Sequence, residues 1–149
     1  QADSLMYRYD LDYNQLVCFG FAGRDMDLNY LRWDSYDQPW KERLAERMSR
    51  GFYNAVEYVD ETGLLFRSYR KGGGSVTDGL QVYRDGVLVG DVDVPLGFRM
   101  AGYVAPYYYS YVVPDEEGER LYMFRFKWPC VFPSIYGNAP PVSTRIITS

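Results

Sequence analysis

The sequence contains no histidine. That absence removes the Ser-His-Asp and Cys-His arrangements of nucleophilic catalysis and every His-ligated zinc site. Cysteine is scarce, with Cys18 in the strand-like LVCFGF and Cys130 in the Pro-flanked WPCVFP. Two cysteines permit one disulfide, although a buried free thiol in a β-core is the commoner reading. Lysine is almost as rare, at 3 residues against 13 arginines. The net charge is −4, so the chain lacks the basic footprint of phosphate-backbone binding, and nucleic acid is not an expected partner. Long apolar runs are missing too. The longest uncharged apolar run, near Met100 to Val113, is broken by Gly102 and Pro106 and is too short to span a bilayer. No positively charged leader with an apolar stretch stands at the start, and a chain opening on Gln1 is expected to be processed or part of something longer.

What is present is ordinary globular material with an aromatic bias. The 149 residues are 47% hydrophobic and 24% charged, enough for one sizeable core and unlike a disordered, collagenous or coiled-coil chain. Tyrosine is abundant, at 16 residues. Guanidinium stacking on those rings, or pairing with Asp, accounts for the arginine excess as structural glue.

Most of the chain reads as short strands parted by turns. Met6 to Asp12 alternates apolar and polar, Asn14 supplies turn chemistry, and Leu16 to Phe21 is a compact apolar strand. DQPWKERLAERMSRG then reads as one amphipathic helix at about 38–50, with Asp37 as N-cap, Pro39 in the first turn and Gly51 past the end. Trp40, Leu44 and Met48 fall on one face, which is expected to pack as a single stripe. Four strands follow in succession: Phe52 to Val59, Leu64 to Tyr69, Gly79 to Tyr83 and Val87 to Val94. Their turns, Asp60-Glu61-Thr62-Gly63, Lys71-Gly72-Gly73-Gly74 and Asp85-Gly86, mark an antiparallel meander. Tyr107 to Val113 and Leu121 to Trp128 form a last pair across the acidic PDEEGER, and residues 129–149 read as an irregular tail. The fold class is mainly β with one helix: a sandwich, barrel or propeller.

Three stretches, FYNAVEYVDETGLLFRSYR, GLQVYRDGVLVGDVDVP and RLYMFRFKW, carry a family resemblance. Phe52 to Trp128 resembles the end of a TolB-like six-bladed β-propeller, of the kind found in uncharacterised propeller lipoproteins of Bacteroidetes bacteria. Tyr58, Asp60, Phe66 and Arg67 sit where that pattern expects them. The resemblance implies antiparallel meander blades of a partial β-propeller. A blade takes roughly 40–50 residues and a closed ring about four blades or more, so residues 1–149 are expected to form one β-rich unit, the C-terminal blades of a larger propeller. It also implies an extracytoplasmic location, at the periplasm or outer-membrane surface. Neither cysteine stands where an acylated N-terminal residue would, so any lipid anchor is expected outside this chain.

Several groups invite a chemical reading. Asp25-Met26-Asp27-Leu28-Asn29 has the D-x-D-x-N opening of calcium loops, but positions 30 and 36 are Tyr where Gly and Glu are needed. A solvated loop is expected, and no metal. Gly72-Gly73-Gly74-Ser75 lacks the Lys-Ser/Thr of a phosphate loop and is read as a flexible hairpin connection; no cofactor is expected. Asp91 and Asp93 alternate with Val, which places both carboxylates on one strand face about 6.5–7 Å apart, a spacing open to paired acid–base work on glycans. The favoured reading is the solvent side of an edge or outer strand. Tyr107, Tyr109 and Tyr111 share one strand face and Tyr108 and Ser110 the other. Exposed, the first three would form a platform for sugars or peptides; two or three of these tyrosines are expected in the core.

The function expected from these features is a non-enzymatic binding or scaffold module of an extracytoplasmic bacterial protein, contacting protein or glycan at the cell envelope. One alternative is a glycan-acting propeller enzyme using Asp91 and Asp93. Another is a purely structural subunit of a larger assembly, docking through an apolar patch that includes Trp40 and Met48.

Overall fold

The structure, a computed structural model, describes residues 4–31, 39–112 and 122–128. It is mainly β, with nine strands and one helix among those residues. β1 (Met6–Tyr9) and β2 (Gln15–Phe19) form an antiparallel hairpin, and α1 (Trp40–Ser49) comes next. β3 (Phe52–Val59), β4 (Leu64–Arg70), β5 (Asp78–Arg84) and β6 (Val87–Val94) then form a four-stranded antiparallel meander in chain order. β7 (Phe98–Val104), β8 (Tyr107–Val112) and β9 (Tyr122–Phe126) form a three-stranded one. Asp37, Trp33, Cys130, PDEEGER and the tail at 129–149 lie outside the described residues.

Local chemistry explains the turns. Asp85 and Gly86 both adopt positive φ, 51° and 79°, the two-residue geometry that matches the twist of flanking strands. β1 ends before Asp12, because the Asp10 carboxylate gathers the backbone amides of Asp12 and Asn14 and the Asn14 side chain into a turn. β7 is absent from the sequence reading. Arg99 and Gly102 interrupt its apolar pattern, and a bulge between Met100 and Gly102 resets its register against β8.

The core lies between the two larger sheets. Val59, Leu64, Phe66, Leu80, Val82 and Val94 from one face meet Phe98, Met100 and Tyr108 from the other. Phe66 is fully enclosed, with the rings of Tyr108, Phe126 and Trp128 at 4.9, 6.2 and 6.5 Å. The sheets come nearest along their first strands, with β7 against β3 and β4. Polar groups also cross this seam: the Asp78 carboxylate, buried, accepts the Gly97 amide at 2.7 Å. β5 is buried on both faces, because the side of its sheet away from the core is itself covered by the N-terminal segment.

The helix departs from expectation. Its bounds are Trp40–Ser49, and Pro39 occupies the cap position without a side-chain cap bond. The stripe Trp40, Leu44 and Met48 is exposed, and no residue of the helix is buried. The polar side is the one that holds α1 in place. Arg50, just past its end, bridges Glu46 and Asp27, each at 2.9 Å, and Glu46 also accepts the Leu31 amide. An amphipathic pattern shows where an apolar stripe lies, and here ion pairs and backbone bonds decide which side docks. The glycine connection is likewise fastened. Gly72, Gly73 and Gly74 all take positive φ, and the Gly73 amide bonds the Ser49 carbonyl. A side chain at Gly72 would lie 2.3 Å from the backbone of Arg50.

No helix among the described residues is long and apolar enough to cross a membrane.

Candidate functional site

On the face of the β3–β6 sheet away from the core, the register lines up Tyr53, Tyr69, Gly79 and Asp93 in one row. Val56, Arg67, Gln81 and Asp91 form the next, and Tyr58, Leu65, Tyr83 and Leu88 the third. The first two rows build a polar clamp. Tyr53 donates to the Phe21 carbonyl, Gln81 to the carbonyls of Phe21 and Ala22, and the Phe21 amide donates to the Tyr83 hydroxyl. Arg67 lies flat on the Tyr53 ring, 3.2 Å from its centroid, and donates to the Ser4 carbonyl. The arginine excess thus serves as ring-stacking and ion-pairing glue here.

Asp91 and Asp93 belong to this clamp. One Asp91 oxygen accepts the Tyr69 hydroxyl at 2.6 Å and the other the Arg24 amide at 3.1 Å. Asp93 accepts both the Lys71 ammonium and the Arg24 guanidinium at 2.7 Å. The strand is an edge strand, as read from sequence, yet its carboxylates do more than face water. They fasten the N-terminal segment, and Lys71 is buried beneath them. Burial, and then the bond to Asp91, push the Tyr69 hydroxyl far above its ordinary value, which keeps it a donor. Burial alone would raise Asp93, but Lys71 and Arg24 outweigh it and hold the carboxyl below its usual range. A glycosidic general acid needs the opposite shift.

These charges make stability acid-sensitive. The Asn29 amide and Arg50 hold Asp27 low, and Arg50 and the Leu31 amide do the same for Glu46. A carboxyl depressed in the folded state adds stability above its unfolded pKa of about 4 and loses it as pH falls through the folded value. The urea midpoint is therefore expected to fall between pH 7 and pH 3. Asp93→Asn is expected to lower it at pH 7 and to flatten that decline, the two proteins converging in acid. Parallel pH profiles would show that the carboxylate carries no such linkage. Asp27 is accordingly no free loop ligand, and no cluster of metal-holding side chains occurs among the described residues.

The third row opens into a cleft that sequence reasoning missed. It holds 580 Å³ and is bounded by Met6, Arg8, Val17 and Phe19 of the hairpin, Val56 and Tyr58 of β3, and Leu65. That volume falls within the roughly 300–1,000 Å³ of small-ligand sites. Its walls are apolar and aromatic, with Phe19 on the hairpin and Tyr58, 55% exposed, on the sheet, and Arg8 and Asp85 supply opposite charges. Cys18 alternates with Val17 and Phe19, so it faces away from the cleft; it is exposed, not buried in a core.

The tyrosine strand divides as its alternation requires. Tyr108 and Ser110 are buried, and Tyr108 stacks on Phe126 at 5.5 Å. Tyr107 and Tyr109 lie half-buried on the other side, so of the tyrosines on β8 whose side chains are described, Tyr108 alone enters the core. Arg125 and Lys127 cap the Tyr107 ring at 4.3 and 5.0 Å. Tyr111 continues the strand opposite Arg99 and Met123.

Two stacked antiparallel meanders, one clamped N-terminal segment and one aromatic cleft define the class: a mainly β protein with a concave, aromatic-walled surface. Comparison with models of known families, with curated proteins and with solved structures finds no match to this chain.

Proposed function

We propose that the chain is a non-enzymatic binding or scaffold module of an extracytoplasmic bacterial protein, one that contacts protein or glycan at the cell envelope. The observation that carries this reading is the aromatic cleft, walled by Phe19 of the hairpin and by the exposed Tyr58 of β3. Tyr rings offer a large rigid contact area and a hydroxyl at little entropic cost, which suits a sugar ring or a peptide side chain. Consecutive meanders in chain order, nearest along their first strands, support a reading as neighbouring propeller blades of the TolB-like kind.

The test is a thermal-shift and tyrosine-fluorescence titration of the chain against soluble polysaccharides and short aromatic peptides. A ligand of this site is expected to raise Tm and to lose about tenfold in affinity on Tyr58→Ser, the loss of one aromatic contact of about 1.4 kcal/mol. Binding indifferent to both Tyr58→Ser and Arg8→Ser would remove the cleft as the site. Glycan cleavage abolished by Asp91→Asn would replace the binding module with an enzyme.

A further inference from the structure

The cleft carries charge where its pattern calls for none. Residues 21–24 cover the sheet face around Gln81 and Asp91, whereas Val56 and Tyr58 of β3 are each left 55% exposed. Across from them stands the hairpin side that bears Met6, Arg8, Val17 and Phe19, and Arg8 is the one charged residue of the four. Elsewhere on this part of the molecule Arg24, Arg50 and Lys71 all meet carboxylates. Among the described residues Arg8 has no ion-pair partner, and neither has Asp85. Both line the cleft, yet they do not pair with each other. The register keeps them apart. Arg8 stands opposite Val17, and Phe19, about 6.5–7 Å further along the strand, is the ring that lies against Gly86, next to Asp85.

We propose that the cleft binds short apolar peptides by both ends, the α-carboxylate on Arg8 and the α-ammonium on Asp85. The inference rests on the reading of the cleft as a binding site and names the ligand class of that site. An extended peptide of two or three residues spans roughly 7–11 Å, enough to reach both charges. Its side chains would lie on Phe19 and Tyr58. Both charges face solvent, and a ligand resting on those rings would displace water from around them, which strengthens each contact. A sugar is poorly matched. None of the lining side chains is an amide or an aliphatic hydroxyl, and the Tyr83 hydroxyl already donates to Gln81 and accepts the Phe21 amide. A ring rich in hydroxyls would leave most of them unpaired against apolar walls, whereas a peptide presents apolar side chains there.

The experiment is calorimetric titration of the 149-residue chain with trileucine, its N-acetyl and C-amide forms, decanoate and maltohexaose. Trileucine is expected to bind, and either blocking group to weaken it about tenfold. Arg8→Gln is expected to erase the preference for a free carboxylate and to keep that for a free amine. Asp85→Asn is expected to do the reverse, Asn being a residue that tolerates the positive φ of position 85. Circular dichroism and Tm check the fold of both variants, and the blocked peptides test the same point on the unaltered chain. Blocked and free peptides that bind alike, and lose affinity together on Tyr58→Ser, would overturn the proposal and keep the cleft as a binding site. A preference for free ends that survives both charge variants overturns it as well. Decanoate held through Arg8 with no response to Asp85→Asn would make the ligand an apolar acid, and maltohexaose bound in place of the peptides would make it a glycan. Either result ends this proposal and leaves the binding module intact. No Tyr58-dependent binding of any of the five would end both this proposal and the cleft as the site.

Discussion

Replacing Gly79 by alanine is expected to lower the stability of the chain by about 3 kcal/mol, the upper end of ordinary overpacking. Gly79 stands directly across from Tyr69, and a side-chain carbon there would lie 1.9 Å from the ring. Such a clash is mild when the aromatic can swing away. Tyr69 cannot: its opposite edge meets Gly23, where an added carbon would lie 2.5 Å from the ring, and its hydroxyl is bonded to Asp91 and to the Arg24 carbonyl. The ring fills a slot with a glycine at each edge. Gly79 has no positive φ, so the penalty is steric and not conformational. Urea unfolding of Gly79→Ala, Tyr69→Ala and the double variant separates the two. The alanine at position 79 is expected to do little harm once the ring is gone, giving a coupling of a few kcal/mol. Additive losses would mean that the slot is looser than its geometry.

A comparable loss is expected at the seam between the larger sheets. Phe66→Ala removes a fully buried ring that touches Tyr108, Phe126 and Trp128, and substitutions of this kind cost about 3–5 kcal/mol. The position is unusual because its contacts reach across to the β7–β9 sheet, whereas its strand neighbours belong to the β3–β6 sheet. The expected signature is more than a lower midpoint. Hydrogen exchange should show β7–β9 opening before β3–β6, since the former has three strands and loses the central ring it packs against. Uniform acceleration across both sheets would show that the seam is not the weak plane.

Several elements were legible in the chain because short-range chemistry bounds them. β3 and β6 match their sequence limits at Phe52–Val59 and Val87–Val94, since glycine, aspartate or proline turns punctuate them. β7 was not legible, because its bulge exists only in register with β8. The alternation of Asp91 with Asp93 correctly placed two carboxylates on one face, while their partners Arg24, Tyr69 and Lys71 come from distant parts of the chain. The same holds for the cleft, whose walls join residues 6–19 with 56–65. The cross-strand pairing of Tyr58 with Leu65, readable once the Asp60–Gly63 turn is recognised, is the one local signal that points to it. Helix α1 was legible as a helix, but its docked side was not, since Glu46 and Arg50 find their partners in residues 27–31.

The clamp on residues 21–24 ends mostly on that segment's own amides and carbonyls. Recognition of this kind reads the path of a chain and ignores its spelling. Phe21 and Ala22 project outward, so related proteins can exchange them freely, provided that Gly23 stays small and Tyr53, Gln81 and Tyr83 persist on the sheet. The N-terminal strap is then held by its path at Phe21 and Ala22, and by side-chain identity only where Gly23 must stay small and Arg24 reaches Asp93.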